Sequence, residues 1–146
     1  MDPISVGPDQ ENEVEMAHKD VREFTEALQA THDVVVIDDE VDWDQELAGI
    51  GRLSCERDGP AFLFNNVKDY AGWRVLANPV AGWRRYAVAL GLPAETPVRD
   101  LYKVYADREQ NPIPPIMVNS SPCKDVIVPE ADIDLFDLPV PMVHDG

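Results

Sequence analysis

Seven of the thirteen prolines in this 146-residue sequence fall in its last quarter, residues 111–146, which reads NPIPPIMVNSSPCKDVIVPEADIDLFDLPVPMVHDG. Each proline fixes φ, removes a backbone donor and pushes the residue before it toward extended geometry. Pro112, Pro114, Pro115, Pro122, Pro129, Pro139 and Pro141 therefore exclude a long helix here. The chain must travel extended, either wrapped around its own small domain or across the face of something else. Between the prolines, Val126-Ile127-Val128 is a β-branched run able to pair with a partner strand, and residues 132–138 alternate acidic and apolar side chains. The row ends at Asp145-Gly146 without a capping element, which is the pattern of a connector toward a neighbour.

Ahead of this tail the periodicity predicts an α+β domain with a small mixed β-sheet flanked by helices. Residues 1–19 are acidic, with Pro3, Gly7 and Pro8 followed by Glu11, Glu13 and Glu15; such a segment buries too little to order itself, and a loose arm is expected. Asp20 stands at an N-cap with Glu23 three residues on, and Val21, Phe24, Ala27 and Leu28 form one stripe, predicting a helix to about Ala30. Val34-Val35-Val36-Ile37 is a continuous β-branched run of the kind expected when both faces are covered, and it is expected at the centre of the sheet, flanked by Ala61-Phe62-Leu63-Phe64-Asn65. Asp42, with Gln45 at the third position, is placed to cap a helix presenting Trp43, Leu47, Ile50 and Leu53, which Asp58-Gly59-Pro60 ends. Gly49 and Gly51 inside it fit close backbone packing or simple tolerance.

A helical link from the first strand to the second favours a parallel crossover, and the short polar turn before Trp73-Arg74-Val75-Leu76-Ala77 favours an antiparallel third strand. A helix over residues 81–90, lined by Trp83, Ala87 and Leu90, stops at Gly91 and Pro93. Thr96 is placed to cap a last helix with Pro97 at its first position and Val98, Leu101, Tyr102 and Tyr105 as its stripe, ending near Gln110.

The chemistry readable from residue types is mostly negative. A formal charge of −16 opposes binding to nucleic acid or to an anionic membrane surface, both of which need clustered Lys and Arg. No apolar stretch approaches the ~20 residues that cross a bilayer, and no basic region followed by an apolar run opens the chain, so a cytoplasmic protein is expected. Cys55 and Cys123 read as reduced thiols without metal-ligand spacing, and His18, His32 and His144 lack a second ligand at helical or loop spacing. Asp38-Asp39-Glu40 and the acids of 132–137 read as solvated turns, and Arg84 and Arg85 as a solvated face making surface pairs rather than an anion site. There is no glycine-rich phosphate loop and no nucleophile elbow.

The residue order is more specific. PIPPIMV, SPCKDVIV and DIDLFDLPVPMVH together resemble the segment by which the UbiD family of prenylated-flavin-dependent decarboxylases passes from its N-terminal domain into its cofactor-binding domain, the fungal ferulic acid decarboxylase branch being especially similar. The matching positions are residues 112–115, Pro122-Cys123, residues 126–128, residues 134–141, His144 and Gly146, where only the first glycine of the family's Gly pair is present. Gly59-Pro60 and Phe64-Asn65-Asn66 match the family's N-terminal domain, and the acidic arm has no counterpart.

The resemblance implies an enzyme that decarboxylates an aromatic or α,β-unsaturated carboxylic acid, reversibly and without oxidation, using prenylated FMN and metal ions. In that family the catalytic Glu-Arg-Glu set and the cofactor and metal ligands lie in sequence beyond Gly146, so no catalytic, cofactor-binding or metal residue maps onto this chain. The organisation expected is an arm (1–19), a scaffold domain (20–110) and a connector (111–146) toward a missing cofactor-binding domain or subunit, with a homo-oligomer implied for the intact enzyme. The competing readings are a non-catalytic interaction protein or split-enzyme subunit that docks a partner through its tail by strand addition, and a fragment of a longer reading frame.

Overall fold

The computed structural model describes residues 17–115 and 117–143, so residues 1–16 of the expected arm, Ile116, His144, Asp145 and Gly146 lie outside the described residues. The elements run α1 (Val21–Ala30), β1 (Val34–Ile37), α2 (Glu46–Glu56), β2 (Ala61–Phe64), β3 (Val75–Ala77), α3 (Trp83–Ala89) and α4 (Val98–Gln110), followed by three short 3₁₀ turns at Pro122–Lys124, Glu130–Asp132 and Leu135–Asp137. This is the α+β fold with a small mixed sheet. Asp20 caps α1 as expected, its Oδ1 accepting from the amides of Arg22 at 2.9 Å and Glu23 at 3.0 Å. The Glu23 carboxylate reaches back one residue further than expected, to the Lys19 amide.

Three helices stop in the same way. After α1, α2 and α3 a residue with left-handed φ, His32 at 59°, Asp58 at 51° and Gly91 at 72°, turns the chain. The next amide then bonds back to the last turn: Asp33 to Leu28 O, Gly59 to Ser54 O and Leu92 to Ala87 O, at 2.9, 2.8 and 2.9 Å. Gly91 needs its missing Cβ twice over, since a methyl there would sit 2.8 Å from the Ala17 Cβ. His18 extends that contact, with Nε2 2.6 Å from Val88 O and its ring 5.2 Å from that of Phe24. The last three residues of the expected loose arm are thus tied to α1 and α3.

The strand order is β1-β2-β3, with β1 parallel to β2 in the register Val34↔Ala61 and β2 antiparallel to β3 in the register Phe62↔Ala77. The expectation of a central Val34–Ile37 is therefore corrected: β2 is central and β1 is an edge. Its exposure agrees, Val35 being 43% and Val36 39% accessible, whereas Ala61 and Phe64 on β2 are fully buried. The reason is connectivity. β2 is joined to β1 by a helical crossover and to β3 by a short turn, so both neighbours compete only for the two sides of β2.

Each face of the sheet carries its own core. On one face Leu28, Ala61, Val88 and Ala94 are buried with Phe24, Ala27 and Val34 against them. On the other Val41, Leu47, Phe64 and Val67 are buried beneath Ile37, Trp43, Ile50, Phe62 and Val75. Gly51 lets α2 approach the sheet, a Cβ there meeting Ala77 Cβ at 3.6 Å, while Gly49 faces open space. The caps of the later helices differ from expectation. Asp42 does not cap α2; its N-cap is Gln45 at φ 66°, and the Asp42 Oδ1 accepts from the Asp44 amide at 3.0 Å instead. Thr96 likewise turns its hydroxyl back to Pro93 O at 2.6 Å, and α4 starts after Pro97.

Several predicted stripes are only partly inward. Leu53 on α2, Trp83 on α3, and Val98, Tyr102 and Tyr105 on α4 are exposed, leaving Leu101 as the buried anchor of α4. Residues 126–128 form no strand, and the alternating stretch that follows is shaped by 3₁₀ turns at Glu130–Asp132 and Leu135–Asp137.

Candidate functional site

The tail returns to the domain at two places. Asp44 and Met142 form a parallel bridge in which the Gln45 amide donates to Met142 O at 3.1 Å and the Met142 amide to Trp43 O at 3.0 Å. Before that, the Tyr70 hydroxyl donates to Phe136 O at 2.9 Å. Trp43 and Tyr70 stand edge to face, ring centroids 6.2 Å apart and planes at 88°, and build one wall of a cavity of about 260 Å³ whose other wall is Leu135, Leu138, Val140 and Met142. Sequence reasoning missed both aromatic anchors. Trp43 fits the pattern of a helical stripe and Tyr70 that of a turn, and neither pattern signals a contact with the tail.

Apart from these contacts the tail leaves its apolar side chains in water. Ile113, Met117, Val118, Val126, Ile127, Val128, Ile133, Leu135, Phe136, Leu138, Val140 and Val143 are all exposed, Phe136 by 82%. Single exposed apolar residues need no explanation, but a row of this length is the composition of a buried interface. Ile116, expected in the same row, lies outside the described residues.

The remaining predicted positions do not converge. Cys55 and Cys123 are free and exposed. Among the described residues no group of three or more His, Cys, Asp or Glu side chains could hold a metal ion. Arg84 makes the expected surface pairs, its Nε and Nη1 donating to Asp33 at 3.1 Å and Glu95 at 2.9 Å; Asp33, then Glu95, raises the guanidinium above its ordinary pKa, and Arg84 in turn lowers the Glu95 carboxyl. Arg85 corrects the expectation of a solvated side chain. It is 4% exposed and donates to Asn78 O at 3.2 Å, Gly59 O at 2.8 Å and Ala81 O at 2.7 Å, tying the α2–β2 loop to the β3–α3 loop.

The Lys68 ammonium holds the Asp42 carboxyl below its usual value with help from the Asp44 amide, and Asp42 raises Lys68. A cavity of about 500 Å³ is lined by His32, Asp33, Asp58, Trp83, Arg84 and Arg85. Both guanidiniums are occupied by protein oxygens, and the two carboxylates disfavour an anion, so these residues do not fit a flavin phosphate.

Comparison with known proteins places this geometry. The family described as 3-octaprenyl-4-hydroxybenzoate carboxy-lyase N-terminal domain (UbiD_N) matches residues 25–104, more than half of the chain. Phenolic acid decarboxylase of Bacillus subtilis (strain 168) is 33% identical over 135 residues, covering 90% of this chain and 28% of that protein. The vanillic acid decarboxylase of Sedimentibacter hydroxybenzoicus in its closed form superposes with a TM-score of 0.77 at 30% identity, over 88% of this chain and 28% of that one. An evolved dimeric form of the UbiD-class enzyme HmfF from Pelotomaculum thermopropionicum, solved in complex with prFMN, gives a TM-score of 0.71 at 29% identity, over 86% of this chain and 28% of that one. The sequence thus spans less than a third of the length of the relatives it matches. On the strength of the family match, which runs from α1 into α4 and takes in the whole three-stranded sheet, this chain belongs to the UbiD family as its N-terminal domain.

Proposed function

We propose that residues 20–110 form the scaffold domain of a UbiD-like enzyme that decarboxylates an aromatic or α,β-unsaturated acid, and that residues 111–146 connect it to a cofactor-binding domain or subunit. The observation that carries this reading is the tail, anchored at Tyr70 and Trp43 yet presenting a dozen apolar side chains to solvent. The decarboxylase names of the relatives support the reaction class, and the complex of a UbiD-class relative with prFMN supports the cofactor.

Decarboxylation requires an electron sink for the developing carbanion, which prenylated FMN, held with metal ions, supplies when bound. This chain's residues shape and anchor the surface on which that unit sits; none of them is assigned a catalytic, cofactor-binding or metal-binding role, and the chain alone is proposed to be inactive. Intact, the enzyme is proposed to be a cytoplasmic homo-oligomer.

The test is to purify the 146-residue chain from cells making the modified flavin, record its visible absorption, and assay carbon dioxide release from cinnamic-type and heteroaromatic acids. The expected result is neither flavin absorbance nor turnover; stoichiometric flavin with turnover overturns the scaffold assignment. The coding sequence after Gly146 separates the architectures. A continuing frame means a single enzyme chain, an adjacent separate gene means a split enzyme, and neither favours a stand-alone interaction protein.

A further inference from the structure

The outer edge of β1 is a second unpartnered surface, independent of the tail. Ala61 N donates to Asp33 O and Asn65 N to Ile37 O, both at 2.9 Å, so the odd-numbered residues of β1 spend their backbone groups on β2. Period-two alternation then turns the N–H and C=O groups of Val34 and Val36 away from the sheet, and no described strand lies on that side. The side chains flanking this open ladder are the exposed Val35 on one face and Val36 on the other. A free edge of β-branched residues is a template for one more strand.

The end of the edge states what that strand must carry. Asp38, Asp39 and Glu40 follow β1 directly. Asn65 donates its Nδ2 to Asp38 Oδ1 at 2.7 Å, and its own Oδ1 is buried with no hydrogen-bond partner among the described residues. The exposed carboxylates of Asp38, Asp39 and Glu40 at this end of the edge favour a segment that brings positive charge. A second copy is a poor occupant: each chain has a formal charge of −16, and both would bring Asp33, Asp38, Asp39 and Glu40 to the shared edge. The chain's own run at 126–128 has Lys124 ahead of it, but Asp125 stands between and Pro129-Glu130 follows, so it brings two carboxylates against one cation.

We propose that the β1 edge is a strand-addition site for an extended segment of a different polypeptide, an apolar β-branched run with Lys or Arg at the end that reaches the exposed carboxylates of Asp38, Asp39 and Glu40. The segment adds its ladder to Val34 and Val36, covers Val35 and Val36, and its cation donates to the acceptors at that end.

The test titrates the full chain with the acetylated, amidated peptides Val-Thr-Val-Thr-Val-Lys-Lys and Lys-Lys-Val-Thr-Val-Thr-Val, and with both sequences carrying Glu for Lys, following amide exchange and fluorescence anisotropy. One lysine peptide is expected to slow exchange at Val34 and Val36 and to bind at least about tenfold more tightly than its glutamate counterpart. Val36→Pro, which removes an outward donor without touching the bonds to β2, and Asp39→Lys, which leaves the ladder intact, should each weaken binding; the second keeps the test decisive where the first misfolds. Equal binding of lysine and glutamate peptides, no change at Val34 and Val36, or sedimentation as a dimer that Asp39→Lys strengthens each overturns the proposal.

Discussion

A guanidinium buried to 4% exposure and bonded to three carbonyls, with no carboxylate partner among the described residues, makes Arg85 a joint rather than a surface charge. Truncating it takes the guanidinium donors from the half-buried Gly59 and Ala81 oxygens, while Asn78 O keeps the Ala81 amide at 3.3 Å. Arg85→Leu is therefore expected to lower stability by about 3 kcal/mol in urea unfolding, each abandoned acceptor costing roughly 1–3 kcal/mol with partial relaxation. Arg85→Lys should recover only part, because an ammonium on a flexible stem cannot reach three acceptors set in the plane of a fork. The valines of β1 and the phenylalanines of β2 diverge in the same way. Phe64 is fully buried on the central strand, so Phe64→Ala should cost about 3–5 kcal/mol, whereas Val35→Asp on the edge should shift stability by about 1 kcal/mol or less. The opposite ranking of those two midpoints would return β1 to the centre of the sheet.

Among the elements, helix ends and ion pairs set the response to acid. Asp20 is lowered chiefly by the Glu23 amide at the start of α1, Asp42 by Lys68 ahead of α2, and Glu95 by Arg84 ahead of α4. A carboxyl whose folded pKa lies below its unfolded value near 4 contributes stability that is fully present above that value and is lost as pH falls through the folded pKa. The unfolding midpoint is therefore expected to hold from neutrality to about pH 5 and to decline below about pH 4. Lys68→Met should flatten the Asp42 share of that decline. Lys68 and Arg84 are raised, so their shares are lost only far above neutrality and leave the acid limb to the carboxylates. A thermal midpoint that does not change between pH 6 and pH 3 would contradict the assignment.

Taken as a whole, the molecule divides into a two-faced sheet with a core on each side and a tail that adds almost nothing to either. Every described residue after Gln110 is at least partly exposed, and the tail's links to the domain are the Tyr70 bond, the Met142 bridge and the apolar wall they close. A chain ending at Gln110 is thus expected to unfold within a few degrees of the full chain and to lose most of its binding of a hydrophobic dye, measured by differential scanning calorimetry and by fluorescence. A fall in midpoint of the size produced by Phe64→Ala would mean that the tail belongs to the core. The two unpartnered surfaces also differ in kind: the tail offers apolar side chains, while the β1 edge offers backbone groups with carboxylates at one end.

What the sequence determined by itself was local. Asp20 capped α1 because a carboxylate two and three residues from free amides needs nothing else, Gly91 ended α3 because only the left-handed region closes that turn cheaply, and the prolines after Asn111 forbade a helix whatever lay beside them. The mixed sheet was legible too, since a helical link and a short turn constrain strand direction. Tertiary structure decided which strand became central, because a β-branched run states a preference for extended backbone and not how many neighbours it will have. It also decided that Arg85 went inside while Arg84 stayed out, one helical step apart, and that Tyr70 and Trp43 hold the tail, because each outcome depends on groups far away in sequence that arrive only when the chain closes.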